Sequence, residues 1–546
     1  MSSYFVVCMG GSGSKVAESL VYLVSAGVFK ECREINILIA DPHISNGNVK
    51  EALGRAGEYK KLKEIFSPDE NNPCLLFGVK LNMYSWDISP NARAFENNQN
   101  NVDLHDLVNL GKNANANCYA RENTKNAAYL MEALYTDEEQ QMTVFRNGYN
   151  ACPSVGVAFC ASAIEFNKGK AEVKNGYKDF CNKISTALSS NDVKLVLIGS
   201  LFGGTGASCL SALARDFRKL DKSGSNILYI AGIFLLPYYT IEAASDSENI
   251  KDDSDTKTRH ITNTNLFSHS SKEALKYYHN HGLLGMPGED KTVYNSVYLI
   301  GSEGLEKVSN KHTTDDTQKN KPHFVELDAV LMVHHFFNED DAQKNTYLRA
   351  IKQCENSRVY DLAWSSYSET GKYNLQKSLG NFMAAGLLFT GYLFSRLFTR
   401  EGTLQKTNST FLQKTGELHG VVYDNLSPLH DYFIKYMRWC KEISETTTGK
   451  GLVESTFFNI TFLENYVGYM SGDAKFSDTI FDFLKKNQDN IVVGMNLSFE
   501  DARLIFAKPA YITELNNIRN VGSYAEFLSI IYDAINKVND ANRRAG

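Results

Sequence analysis

GSLFGGTGAS, Gly199 to Ser208, lies directly between the apolar run KLVLI and the helical run CLSALARDFRKL. It carries four glycines, three of them within four positions at Gly203, Gly204 and Gly206. A turn from a strand into a helix needs one. Three imply that something approaches the backbone closely, because each absent Cβ removes the first atom in the way.

A second stretch repeats the pattern near the start of the chain. In MGGSGSKVAESL, Met9 to Leu20, an apolar strand runs into Gly10, Gly11 and Gly13 and a helix begins near Ser14. Such a junction aims free backbone N–H groups and the positive end of the helix dipole at one point, which suits a phosphate. Ser12 and Ser14 add hydroxyl donors, and Asp41 closes the next strand, where an α/β sheet presents a carboxylate to a ribose. Val16 stands where the dinucleotide fingerprint has its third glycine, and the GxxxxGK[ST] spacing of a Walker loop is absent. Taken alone, the stretch also reads as a ligand-free junction. Two glycine loops in one domain can cradle two ends of one polyphosphate, with Thr205 and Ser208 offering hydroxyls.

The whole chain sets the frame. Its 546 residues predict roughly two to four domains. The 43% apolar and 22% charged content is that of a soluble globular protein. A net charge of −6 gives no electrostatic reason to expect nucleic acid as a partner. The N-terminal MSSYFVVCMGGSGS lacks the basic start and cleavage site of a secretory signal and reads as a first strand. Ten scattered cysteines without a CxxC pair fit a reducing, cytoplasmic compartment rather than a zinc or disulfide framework. Ser378 to Ser395 is uncharged for 18 residues, but its Asn381 and three glycines make a buried core helix the preferred reading over a membrane span. No HExxH, GxSxG or similar catalytic spacing occurs.

Along the chain, Tyr4–Met9, Ile35–Asp41, Val193–Ser200, Ser225–Tyr239 and Ser296–Ser302 read as strands, with helical patterns between them. Apolar strands alternating with helices predict a doubly wound α/β domain with a mostly parallel sheet. The Asn-rich segment Ser89–Asn126 and the Asp/Ser/Thr/Asn-rich segment Ser245–Asn265 read as long surface insertions. His323–Phe337 predicts a long, largely apolar helix, and 358–368 a strand.

These features together resemble the tubulin/FtsZ superfamily, and its divergent bacterial members most. FGGTGAS is similar to the signature loop GGGTG[ST]G, with Phe202 in place of the first glycine. The Gly10–Ser14 loop comes first, the signature loop follows about 190 residues later, and the next strand ends in proline, AGIFLLPYY. The His323–Phe337 helix resembles the superfamily's central helix. The likeness covers about the first 340 residues.

The resemblance implies a nucleotide-binding domain over residues 1–322, a linking helix at 323–340 and an α+β C-terminal domain over 341–546. It implies GTP or GDP with Mg2+, phosphates on Gly203, Gly204, Thr205 and Gly206 and on Gly10, Gly11, Ser12, Gly13 and Ser14. FRNGYNACPSVG, Phe145 to Gly156, is either the loop that senses the terminal phosphate, through Asn147, Gly148 and Ser154, or a surface turn. Asn263 or Asn265 in TNTNLFSH either reaches the ribose or base or caps a helix. The acids after the central helix, Glu339, Asp340 and Asp341 in NEDDAQKN, either orient water in a neighbour's site or form a solvated turn; the family's NxDxxD-like pattern is not reproduced.

The expected function is head-to-tail assembly with GTP hydrolysis at the subunit junction, in the cytoplasm, with further copies of the chain as partners. Adaptor proteins of unknown identity, no nucleic acid and no membrane span complete that expectation. A non-hydrolysing scaffold of the same fold, or an NAD-dependent oxidoreductase resting on Met9–Gly13 and Asp41, are the competing readings.

Overall fold

The computed structural model describes residues 2–42, 46–69, 75–88, 149, 153–169, 175–221, 226–241, 264–284, 293–302, 306–308, 320–338, 369–394, 423–448, 460–470, 524, 527–533 and 535–536. In chain order the first half gives β1 (Ser3–Met9), α1 (Gly10–Ser25), β2 (Glu34–Asp41), α2 (Gly47–Phe66) and β3 (Lys80–Asp87). Next come α3 (Pro153–Gly169), α4 (Gly176–Leu188), β4 (Val193–Ser200), α5 (Gly204–Arg218), β5 (Leu228–Leu235) and β6 (Tyr239–Ile241). Then follow α6 (Phe267–Asn280), β7 (Ser296–Ile300), β8 (Glu306–Val308) and α7 (Phe324–Asn338). The C-terminal part gives α8 (Glu369–Leu388) with a π-helical turn at Phe389–Leu393, α9 (Tyr423–Thr448) and α10 (Ile460–Met470).

Six strands form one parallel sheet in the order β3-β2-β1-β4-β5-β7. The protein is therefore α/β, with strand order reversing between β1 and β4. Side chains of β1 alternate: Val6 and Cys8 join the core under α1 and α2, while Phe5, Val7 and Met9 join the core under α3, α4 and α5. Both faces are covered, so β1, β2, β4 and β5 are near-continuous apolar runs. Asn36, the polar exception in β2, is 2% exposed and accepts a 2.9 Å hydrogen bond from Asn82 Nδ2, its register partner on β3.

Helix α2 is polar overall yet buries Val49, Ala52, Ala56, Tyr59, Leu62 and Phe66, spaced three or four apart, against α1 and the sheet. Helix α7 lies on the same face against α1, β4, β5 and β7, buried nearly all round. Two devices fix its ends. At the start, His323 Nδ1 accepts from the Val325 N–H while Glu326 Oε2 accepts from the His323 N–H, a reciprocal capping box. At the end, the buried Lys194 ammonium on β4 donates to the carbonyls of Phe337 at 2.7 Å and Phe336 at 3.3 Å.

The described residues beyond 341 are helical and share one apolar core with α1, α2 and α7. Helix α9 is tied to α1 by a 2.6 Å contact between the hydroxyls of Ser25 and Tyr432, and to α7 by Thr446 Oγ1 accepting from the Phe324 N–H. The uncharged stretch at 378–395 falls in α8 and the π-turn and is packed against α9, Gly386 meeting Phe433. Among the described residues no helix is long and apolar enough to cross a membrane.

Candidate functional site

The C-terminal ends of β1 and β4 lie side by side, with Cys8 opposite Ile198. This is the reversal point of the sheet, where helices from neighbouring strands leave in opposite directions and open a crevice for a ligand. Both glycine stretches stand there. The chain passes from Met9 into α1 through Gly10 at φ +72°, a left-handed conformation that glycine adopts without penalty. From β4 it turns at Leu201–Gly203 and enters α5 at Gly204.

The two loops touch. A Cβ on Gly10 would lie 3.2 Å from Thr205 Cβ and 3.7 Å from the Gly206 nitrogen. Close packing accounts for two further glycines. A Cβ on Gly13 would stand 2.9 Å from the Cys8 carbonyl carbon, and one on Gly206 2.5 Å from the Ser200 nitrogen and oxygen. These positions let α1 and α5 lie directly on their strands. Gly11, Ser12, Gly203 and Thr205 form the half-buried rim; Gly10, Gly13, Gly204 and Gly206 are buried beneath it.

The first-turn N–H groups of a helix have no acceptor within it. Asn46 and Asn175 cap α2 and α4 through their side chains. The N-caps of α1 and α5, Met9 and Gly203, make no side-chain cap bond, and neither first turn carries an acid. Two uncapped, uncompensated helix starts thus converge on one corner, an arrangement that favours an anion.

Asn48, a residue that sequence reading passed over, strengthens the point. It is fully buried, its Oδ1 accepts from the Asn320 N–H at 2.9 Å, and its Nδ2 has no hydrogen-bond partner. That Nδ2 lies 3.2 Å from where a Gly11 Cβ would stand. A buried donor without an acceptor costs about 1–3 kcal/mol, so the atom calls for a ligand oxygen beside α1. The signal in the sequence is slight: an Asn two residues after the Asn46 cap, just past a strand that ends at the same sheet edge.

Other expected residues divide. The Ser14 hydroxyl is buried and donates to the Gly10 carbonyl at 3.0 Å, the usual i−4 bond of a helical serine. Ser208 is likewise occupied, bonding the Gly204 and Pro153 carbonyls. The Ser12 hydroxyl bonds the phenols of Tyr238 and Tyr239. Phe202, the departure from the signature loop, is a packing residue: it is 1% exposed, with Tyr239 and Phe267 rings 5.3 and 4.8 Å away. Asp41 is buried at the end of β2 and its charge bears on Tyr149 and Cys209.

Asn147, Gly148, Asn263, Glu339, Asp340 and Asp341 lie outside the described residues. The chain just after Gly148 does reach the signature loop's helix: Tyr149 stacks on Phe159, and a Cβ on Gly156 would collide with Ser208 Oγ at 2.1 Å. Asn265 is exposed in the turn before α6, two residues from the Phe267 that packs on Phe202.

Behind the rim runs a buried polar chain. Tyr238 donates to Glu326 Oε1 at 3.2 Å, and burial pushes the Glu326 carboxyl up to about 8 against the opposing pull of Lys15. Lys15 itself is 2% exposed and pairs with Glu18 at 2.6 Å. Among the described residues no group of three or more His, Cys, Asp or Glu is placed to hold a metal ion. No known protein family matches the chain, and no curated protein matches it either.

Proposed function

We propose that this chain is a tubulin/FtsZ-like GTP-binding protein that assembles head to tail, with hydrolysis at the junction between copies. The contact of Gly10 with Thr205 at the sheet reversal carries the proposal, because it brings two uncapped helix starts to one point. A single phosphate needs one such start; two suit a polyphosphate. Gly11, Ser12, Gly203 and Thr205 would receive it, with the Asn48 amide as a further donor. Mg2+ arriving with the triphosphate would share in neutralising its charge.

Geometry also supports catalysis across a junction. Helix α7 starts beside Tyr238, just past the C-terminal end of β5, and ends where Lys194 holds it at the start of β4. Glu339, Asp340 and Asp341 follow that end directly. Ser200 lies six steps along β4 from Lys194, about 20 Å at strand rise. Helix α7 thus ends at Asn338 on the edge opposite the glycine loops, and on this proposal the acids next in the sequence serve a head-to-tail neighbour's phosphates. Heterologous contacts of this kind build open filaments unless the rotation closes.

The same strand order serves dinucleotide-binding folds, so NAD is the competing ligand. The second glycine helix has no task in that reading. Chromatography of whatever nucleotide co-purifies, released by denaturation, tests the choice. GTP or GDP is expected; NAD would overturn the proposal, and no nucleotide would favour a scaffold.

A further inference from the structure

A cavity of about 380 Å³ opens between α1, α2, residues 320–322 and α9. Its volume falls within the range of small-molecule sites, about 300–1,000 Å³. Its wall is charged: six basic side chains against four carboxylates, two positive charges in excess.

Three of the four carboxylates are already engaged. Glu18 pairs with Lys15 at 2.6 Å and faces Arg55 at 3.7 Å, Glu51 also faces Arg55 at 3.7 Å, and Glu58 joins Arg55 to Lys435. The fourth, Glu442, has its carboxyl pushed up by burial. Two cations remain uncommitted among the described residues: Lys50 on α2 and Arg438 on α9, both exposed and on opposite walls. Beneath them Arg55 is 6% exposed, lies 5.0 Å from the Tyr22 ring centroid and has a buried Nε without an acceptor. A cationic ligand would find three carboxylates taken and the charge of the fourth disfavoured by burial, and an apolar one would strip water from charges without replacing it.

We infer that this cavity binds a small anion, a phosphate or a carboxylate, which bridges Lys50 and Arg438 over the Arg55 network. The inference does not rest on the nucleotide reading. The site joins α2 to α9, so its ligand would fasten the C-terminal helices to the sheet domain by charge as well as by apolar contact.

The test uses the full chain, titrated with sodium phosphate and separately with citrate against sodium chloride of matched ionic strength. The readouts are Tm and tryptophan fluorescence, since Trp439 lines the cavity. Parent, Gly11→Asp and the double variant Lys50→Glu/Arg438→Glu are compared. Saturable stabilisation is expected in the parent and in Gly11→Asp. The double variant should need at least tenfold more anion, while its Tm in chloride and its GTP binding match the parent. Phosphate saturating below citrate identifies a phosphate site, and the reverse a carboxylate site. The inference is overturned if the parent shows no saturable response, or if the double variant responds as the parent does. It is also overturned if Gly11→Asp alone abolishes the response, which would place the anion at the glycine loops.

Discussion

Gly10 and Thr205 touch across the reversal of the sheet: a Cβ on Gly10 would lie 3.2 Å from Thr205 Cβ, and the backbone there has φ +72°. Two constraints therefore meet in one residue. A side chain at Gly10 forces a left-handed conformation, costing about 1–2 kcal/mol, and presses on the opposing loop. Gly10→Ala should lower unfolding free energy by at least that amount in urea, and weaken nucleotide binding because the loops are wedged apart. A variant as stable as the parent would show that the junction relaxes freely.

Gly11→Asp separates ligand chemistry from folding. Its carboxylate would sit at the uncapped start of α1 beside Asn48 Nδ2, where it takes the place proposed for a phosphate. An acid at a helix start contributes about 0.3–1 kcal/mol of stability. The expected outcome is an unchanged or raised Tm without ligand, together with at least a tenfold loss of GTP affinity by calorimetry. Undiminished GTP binding in this variant would remove α1 from the phosphate site.

Glu326 makes stability depend on pH. Its folded carboxyl titrates near 8, against 4.5 for the free side chain, because burial penalises the charge. Between those values the folded state binds a proton that the unfolded chain has released. The stabilisation is whole below about pH 4.5, and is lost as pH rises through about 8. His334 opposes it over the lower part of the same range: burial holds its imidazole down to about 4, so its contribution falls as pH drops below 6.5. Glu326→Gln keeps an acceptor for the His323 N–H and removes the titration. Urea midpoints of this variant should fall less steeply with rising pH than the parent's between about 4.5 and 8, since His334 and the buried Asp328, whose carboxyl is pushed up to about 7, titrate alike in both.

The sequence carried the parts of this architecture that one face or one turn decides. β1, β2, β4, β5 and β7 were legible because largely buried strands read as near-continuous apolar runs. β3 was not: an edge strand like β7, it is mostly half-exposed where β7 is largely buried, and KLNMYSWD carries Asn82 and Ser85 where a covered strand would be apolar. Both glycine loops could be read, but not the work of each residue in them. That Gly13 packs on Cys8 and Ser14 bonds Gly10 depends on how the helix leaves its strand, and that Asn48 points toward Gly11 depends on α2 packing against α1. Phe202 looked like a lost glycine, and is an anchor for Tyr239 and Phe267.

The acids beyond α7 give the decisive functional test. Lys194 holds the end of α7 at the start of β4, the edge opposite the glycine loops, and Glu339, Asp340 and Asp341 are next in the sequence. If they orient water for a neighbour, GTP hydrolysis is negligible in dilute protein and rises more than linearly with concentration. Replacing all three with alanine should then abolish phosphate release while leaving GTP affinity unchanged, because binding belongs to each copy's own loops. Light scattering should persist or increase, since the triphosphate stays at the junction. Hydrolysis at the parental rate in the triple variant would make these acids a solvated turn. A turnover number independent of protein concentration in the parent would remove the junction from the mechanism altogether.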